Sequence, residues 1–246
     1  FILRSGSIDN RKGAAPDNAM AEGGRIHRMI QRRMGSDYQA EVVMRYRWST
    51  SAYDLVVEGR ADGVISGDVV TIDEIKGTYR DLDKMKEPVD VHLAQAKCYA
   101  CMYAREHESM QMKVRMTYCN IETEELRYFV NTYQRAELDE WFDALLQEYK
   151  KWADFSNEWQ KTRTASIRQL DFPFPYREGQ KELATYVYRS IVHKRKLFIE
   201  APTGVGKTIS TVFPAVKALG EGKAERIFYL TAKTITRTVA DNTFQL

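Results

Sequence analysis

The sequence predicts an α+β domain built on a mixed sheet, followed by the opening of an α/β domain with a parallel sheet. Two pairs of strand-like, β-branched or alternating stretches, set apart by a helical stretch, indicate the first. The stiff run Asp171-Phe172-Pro173-Phe174-Pro175 marks a change of composition suited to a junction. Beyond it, an apolar segment enters a Gly-containing loop and a helix, and a second apolar segment follows, which is the order of a βαβ unit. The domains are therefore expected at residues 1–165 and 166–246.

Residues 1–20 lack periodicity and read as an irregular lead-in. Ile26, Met29, Ile30 and Met34 give a helical stripe over Ala21–Met34, with Gly35 as a stop. Tyr38–Tyr46 alternates as a strand, and residues 56–78 read as a hairpin. A charged loop precedes a helix over Val91–Arg105, and Val114–Ile121 with Leu126–Thr132 form a second strand pair. A long helix from about Arg135 to Lys161 should bury Leu138, Trp141, Leu145, Tyr149 and Trp152. Glu178–Lys194 reads as a helix, and Leu197–Glu200 and Ile227–Thr231 as the strands of the βαβ unit.

With 246 residues and 43% hydrophobic content, the chain can bury a core. No apolar run is long enough to span a bilayer and no signal-peptide pattern opens the chain, so a cytoplasmic protein without a membrane partner is expected. The first residue is Phe1, so the natural N-terminus is expected upstream. Three cysteines make no disulfide framework, and Cys98 and Cys101, inside a helical pattern, read as buried thiols. A net charge of +3 does not announce nucleic acid, although Arg25, Arg28, Arg32 and Arg33 cluster within about two helical turns.

The hairpin carries unusual polar residues. With a three-residue Ser66-Gly67-Asp68 turn, Ile65 pairs with Val69, and Asp62 falls opposite Ile72 on the face that carries Glu74 and Lys76. Two carboxylates and an ammonium then converge. Such a patch either holds a divalent cation, Mg²⁺ first, or is a solvated face with a surface ion pair. Asp73, of opposite parity, reads as structural.

The segment Ala201-Pro202-Thr203-Gly204-Val205-Gly206-Lys207-Thr208 is close to a Walker A loop, with Ala201 in place of the first Gly. Gly204 and Gly206 let successive N–H groups face a phosphate, Lys207 would reach the β- and γ-phosphates of ATP, and Thr208 would bind Mg²⁺.

This loop, with Tyr176–Gln180 before it and Tyr229–Thr234 (YLTAKT) after it, resembles the opening of the first RecA-like motor domain of DinG/XPD-type superfamily-two DNA helicases. The resemblance implies that the segment ending in Gln180 lies near the adenine and that YLTAKT contacts DNA. The sequence reaches Leu246 without an acidic Walker B pair, so helicase activity is expected only of a full-length protein.

Upstream, His27, Asp62 in GRADG, Glu74-Ile75-Lys76, and Gln95 with Tyr99 resemble, in order, the elements of a RecB-like PD-(D/E)xK nuclease over roughly residues 20–165. The resemblance implies a restriction-endonuclease-like mixed sheet and a Mg²⁺- or Mn²⁺-dependent deoxyribonuclease, most simply an exonuclease on single-stranded DNA or a free end. Asp62, Glu74, the Ile75 carbonyl and His27 would hold the metal, Lys76 would orient the water, and Gln95 and Tyr99 would position DNA or brace the site. His92 shares the face of Gln95 and Tyr99 but has no place in the pattern. The alternative is a nucleic-acid-binding module without chemistry that guides DNA to the motor through its arginines.

Overall fold

The computed structural model describes residues 19–202 and 204–246, so the lead-in expected over 1–20 falls almost wholly outside the described residues, as does Thr203 of the phosphate loop. Two compact units divide between Lys150 and Lys151, inside a helix that composition placed wholly before the junction.

The first unit contains α1 (Ala19–Arg32), β1 (Tyr38–Ser49), β2 (Asp54–Ile65), β3 (Thr71–Thr78), α2 (Asp90–Glu106), β4 (Gln111–Asn120), β5 (Leu126–Gln134) and the first turns of α3 (Arg135–Arg168). Its five strands form one mixed sheet in the order β1-β2-β3-β4-β5. All neighbours are antiparallel except β3 and β4, which are parallel and joined across one face by α2. The expected α+β arrangement with a mixed sheet is therefore present.

Both faces of the sheet are covered. Ile26 and Ile30 of α1 pack on Ile75 of β3 and Cys119 of β4, with Met29, Met34, Ile121 and Leu126 around them. On the other face α2 buries Ala96, Tyr99 and Ala100. A sheet sandwiched in this way needs apolar residues on both sides, which is why β4 is buried from Tyr118 back to Met116 without alternation.

Two expectations in this unit are corrected. The loop between β2 and β3 is not three residues, because Ile65 pairs with Thr71 and residues 66–70 form the connection. The register has slid by two positions relative to the expected pairing, which keeps every side chain on its expected face and puts Asp62 level with Glu74, one step past the last pair, instead of opposite Ile72. In α3 the buried stripe is Leu138, Phe142 and Leu146 at four-residue spacing, while Tyr149 and Trp152 are exposed. Phe142 meets Tyr46 of β1 edge-on at 5.5 Å, so the sheet selects that face; Trp141 lies instead beneath the Lys97 ammonium at 4.1 Å.

The second unit holds the rest of α3, then α4 (Gln180–Val192), α5 (Lys207–Gly220) and α6 (Thr234–Phe244). The helix around residues 178–194 is present, and α6 was not expected. The two strands expected at Leu197–Glu200 and Ile227–Thr231 do not form: among the described residues neither segment joins a ladder, and Phe198 and Leu230 are 93% and 89% exposed. A strand exists only through hydrogen bonds to a neighbour, and β-branched composition alone cannot supply one. The parallel sheet of a RecA-like domain is thus absent from the described residues.

Candidate active site

β2 and β3 pair only from Ile65–Thr71 to Gly63–Asp73 and then part. The Asp62 carboxylate enters this fork, where its Oδ2 accepts the Ile75 N–H at 2.7 Å. Its Oδ1 lies 3.1 Å from Nδ1 of His27, which α1 brings from the opposite side of the sheet. That contact raises the His27 pKa, against the opposing effect of its burial. The fork therefore lets residues from two layers meet at one point.

Glu74 is 1% exposed. Its Oε1 accepts a 2.6 Å hydrogen bond from the Lys76 ammonium, while Oε2 is buried with no hydrogen-bond partner among the described residues. Burial, followed by the nearby Asp62 charge, pushes the Glu74 carboxyl up to about 7. Lys76 also donates to Oε1 of Gln95 at 3.2 Å, and Gln95 donates onward to the Tyr99 hydroxyl at 3.2 Å. Gly59 makes room for this relay, because a Cβ there would lie 2.6 Å from the Tyr99 ring. The sequence-derived residues thus form two groups, His27 with Asp62 and Glu74 with Lys76, Gln95 and Tyr99, which the bond from the Ile75 N–H to Asp62 brings next to each other.

Asp73, one residue from Glu74, points the other way and is fully partnered. Arg115 donates to both its oxygens at 2.9 Å, Thr117 Oγ1 donates at 2.5 Å, and Tyr38 donates at 3.2 Å. The contrast between the two buried acids separates a structural carboxylate from one with an unsatisfied oxygen. An orphaned buried carboxylate oxygen beside a second carboxylate is what a bound cation would complete. Carboxylate oxygens are the donors that hard divalent cations take.

Glu41 was missed by the sequence reading. The β1–β2 register passes from Ala40–Gly63 to Val42–Ala61, which puts Glu41 opposite Asp62. Glu41 has a φ of +58°, a conformation a non-Gly residue adopts at some strain. Ligand atoms of Glu41, His27 and Asp62 all lie within 4.8 Å of one another. Its carboxylate also accepts from Gln31 at 2.9 Å and pairs with Arg60 at 2.7 Å. No alternation or motif marks it, because its importance comes from cross-strand register. Tyr38 and Gly59 escaped for the same reason.

In the second unit, Gly204 and Gly206 have φ of +87° and +74°, as a loop that curls its backbone requires. Gly206 precedes the first turn of α5, and Gln180 lies against it, with its Nε2 2.4 Å from where a Cβ would stand. Lys207 Nζ donates to the carbonyls of Ala201 and Pro202 at 2.9 and 2.7 Å, so its ammonium is folded onto the loop. Thr208 is the second residue of the same helix and is half-buried. An open groove of about 790 Å³ lies beside the loop, lined by Gln180, Tyr186, Ile199 and Val205 among others.

Comparison with known proteins adds a partial likeness. No protein-family model matches the chain. Over 46 residues it is 50% identical to a probable ATP-dependent helicase of Methanocaldococcus jannaschii, a stretch covering 18% of this chain and 7% of the helicase. The chain thus spans a small part of that relative. The crystal structure of SSO0001 aligns with 51% of the chain and 58% of its own, at 16% identity and a TM-score of 0.35, too low to carry an argument. Among the described residues no helix is long and apolar enough to cross a membrane.

Two of the four clustered arginines are ion-paired, while Arg28 and Arg32 make no ion pair among the described residues. Arg25 pairs with Glu22 and Glu124 at 2.9 and 2.7 Å, and Arg33 approaches Glu124 at 3.6 Å. The thiols of Cys98 and Cys101 are free, and burial pushes them up to about 11 and about 12, as inert packing groups.

Proposed function

We propose that the first unit is a Mg²⁺- or Mn²⁺-dependent deoxyribonuclease acting on single-stranded DNA or a free end, within a protein of DNA repair or processing. The observation that carries this reading is Glu74, a buried carboxylate with one oxygen on Lys76 and the other unsatisfied, beside the Asp62–His27 pair. Asp62, Glu74, the Ile75 carbonyl and His27 are the residues that would hold the ion. The ion supplies charge neutralisation at the carboxylates and at the phosphate.

The chain's own residues supply positioning. Lys76 has two of its three N–H groups fixed by Glu74 and Gln95, which leaves one for the attacking water or a phosphate oxygen. Water adds to phosphorus, the P–O ester bond breaks, and the products are a phosphate end and a hydroxyl end. Tyr99 and Gln95 hold Lys76 in place, and Gly59 admits them.

We further propose that residues 166–246 open an ATP-binding motor domain, with Gly204, Gly206, Lys207 and Thr208 around the phosphates and Gln180 near the base. The helicase likeness and the two left-handed glycines support this. Arg28 and Arg32 remain available to the alternative, a binding module without chemistry, which would bind DNA and not cut it. The test is incubation of the pure protein with labelled single-stranded DNA and Mn²⁺. Cleavage should stop with EDTA and with Lys76→Ala; cleavage that survives both overturns the mechanism.

A further inference from the structure

We propose that His92 and Arg80 form a phosphate-binding subsite near Lys76, which takes a phosphodiester neighbouring the one cut. This rests on the nuclease reading only for the identity of the ligand as a nucleic-acid backbone.

Tyr118 of β4 is the register partner of Lys76 in the parallel ladder, so both side chains project to the α2 face. The Tyr118 hydroxyl accepts the Val89 N–H at 3.0 Å and lies 3.1 Å from Nδ1 of His92. Tyr118 is 1% exposed, and His92 is the one acceptor the described structure offers its proton. The hydroxyl therefore donates to Nδ1, which places the imidazole hydrogen on Nε2. No described residue takes Nε2.

His92 lies one helical turn before Gln95, on the same face of α2 that reaches Lys76. Burial, with the charges of Lys76 and Arg80, lowers its pKa and keeps the ring neutral. Arg80 is exposed, but its backbone is fixed at both ends: its N–H donates to Thr78 Oγ1 at 3.1 Å and its carbonyl accepts from Asn120 at 3.2 Å. An oriented N–H donor near the charges of Lys76 and Arg80 repels a metal ion and attracts an anion, and phosphate oxygens fit both donors.

A bracing role for Tyr118 is the competing account, and two substitutions separate them. His92→Asn keeps an acceptor near Nδ1 for Tyr118 but has no donor at Nε2; His92→Gln reaches the Nε2 position and loses the Tyr118 bond. The subsite predicts that His92→Asn raises the KM for single-stranded DNA with Mn²⁺ about 5- to 10-fold, the worth of one phosphate hydrogen bond, with kcat within about twofold. His92→Gln stays near wild type. Arg80→Ala weakens binding similarly and lowers the salt slope of log Kd by about one contact.

The same affinities are read by fluorescence anisotropy in EDTA, where no cleavage occurs. An affinity of His92→Asn and Arg80→Ala equal to wild type overturns the subsite, as does His92→Gln failing while His92→Asn does not. If wild type binds DNA but never cleaves it, while His92→Asn and Arg80→Ala still weaken binding, the nuclease reading fails and the subsite stands. Arg80, being exposed, remains informative if the His92 variants fold poorly.

Discussion

Each candidate site hangs on a lysine, but the two are built on different foundations. Lys76 sits in β3, whose ladder to β4 runs unbroken from Thr71–Lys113 to Thr78–Asn120, with helices on both faces. Lys207 starts a helix, and the segment before its loop, Leu197–Glu200, joins no ladder among the described residues. A paired, covered strand fixes side-chain direction residue by residue, so a buried carboxylate such as Glu74 can be held with an unsatisfied oxygen. A loop motif is carried by local backbone conformation, here two left-handed glycines, and keeps its shape with little help from a sheet. The two regions therefore should fail in different ways.

Hydrogen exchange exposes the contrast most strongly. Amides of Ile72, Val114 and Met116 should exchange only through large-scale opening, whereas those of 197–200 and 227–231 exchange on the scale of open chain; the protection gap is about 5 kcal/mol or more. Equal protection would mean that the second unit's extended segments are paired after all.

Next in size is Asp73→Ala, which leaves the half-buried Arg115 and the buried Thr117 hydroxyl without their partner and should lower the stability of the first unit by about 2–4 kcal/mol in urea melts. In the second unit Lys207 caps loop carbonyls in the open, so its loss should cost far less stability. Gly59→Ala should cost about 1–3 kcal/mol by forcing Tyr99 aside, and should slow cleavage by loosening Gln95 and Lys76.

Glu74→Gln gives an effect no larger than Gly59→Ala and of unusual sign. The folded pKa of Glu74, about 7, lies above its ordinary 4.5. In the metal-free protein its contribution is therefore fully present below about pH 4.5 and is lost as pH rises through 7. Glu74→Gln removes this loss, so the metal-free variant should melt higher than wild type at pH 8 by about 1–3 kcal/mol of stability and much less so at pH 5. Mn²⁺ should stabilise wild type and not the variant.

Much of the first unit was legible because its signals are local. The parity of Asp62, Glu74 and Lys76 survived a mistaken turn length, since a slip of two residues leaves faces unchanged. Glu41 and Tyr38 were invisible because their partners, Asp62 and Asp73, are distant in sequence. The stripe on α3 was misassigned because Trp141 and Phe142 are equally apolar, and contacts distant in sequence, Tyr46 and Arg105 on Phe142 and Lys97 on Trp141, decide between them. The strands expected at 197–200 and 227–231 carried the right composition, but pairing is a property of neighbours and not of the segment.

The central claim, that the fork between β2 and β3 is a metal-dependent nuclease site, is tested most directly by the initial rate of single-stranded DNA cleavage in Mn²⁺ for wild type, Lys76→Ala and Lys207→Ala. The account predicts a rate that falls at least about 100-fold in Lys76→Ala, vanishes in EDTA and is unchanged in Lys207→Ala. Cleavage that persists in Lys76→Ala and in EDTA would contradict it.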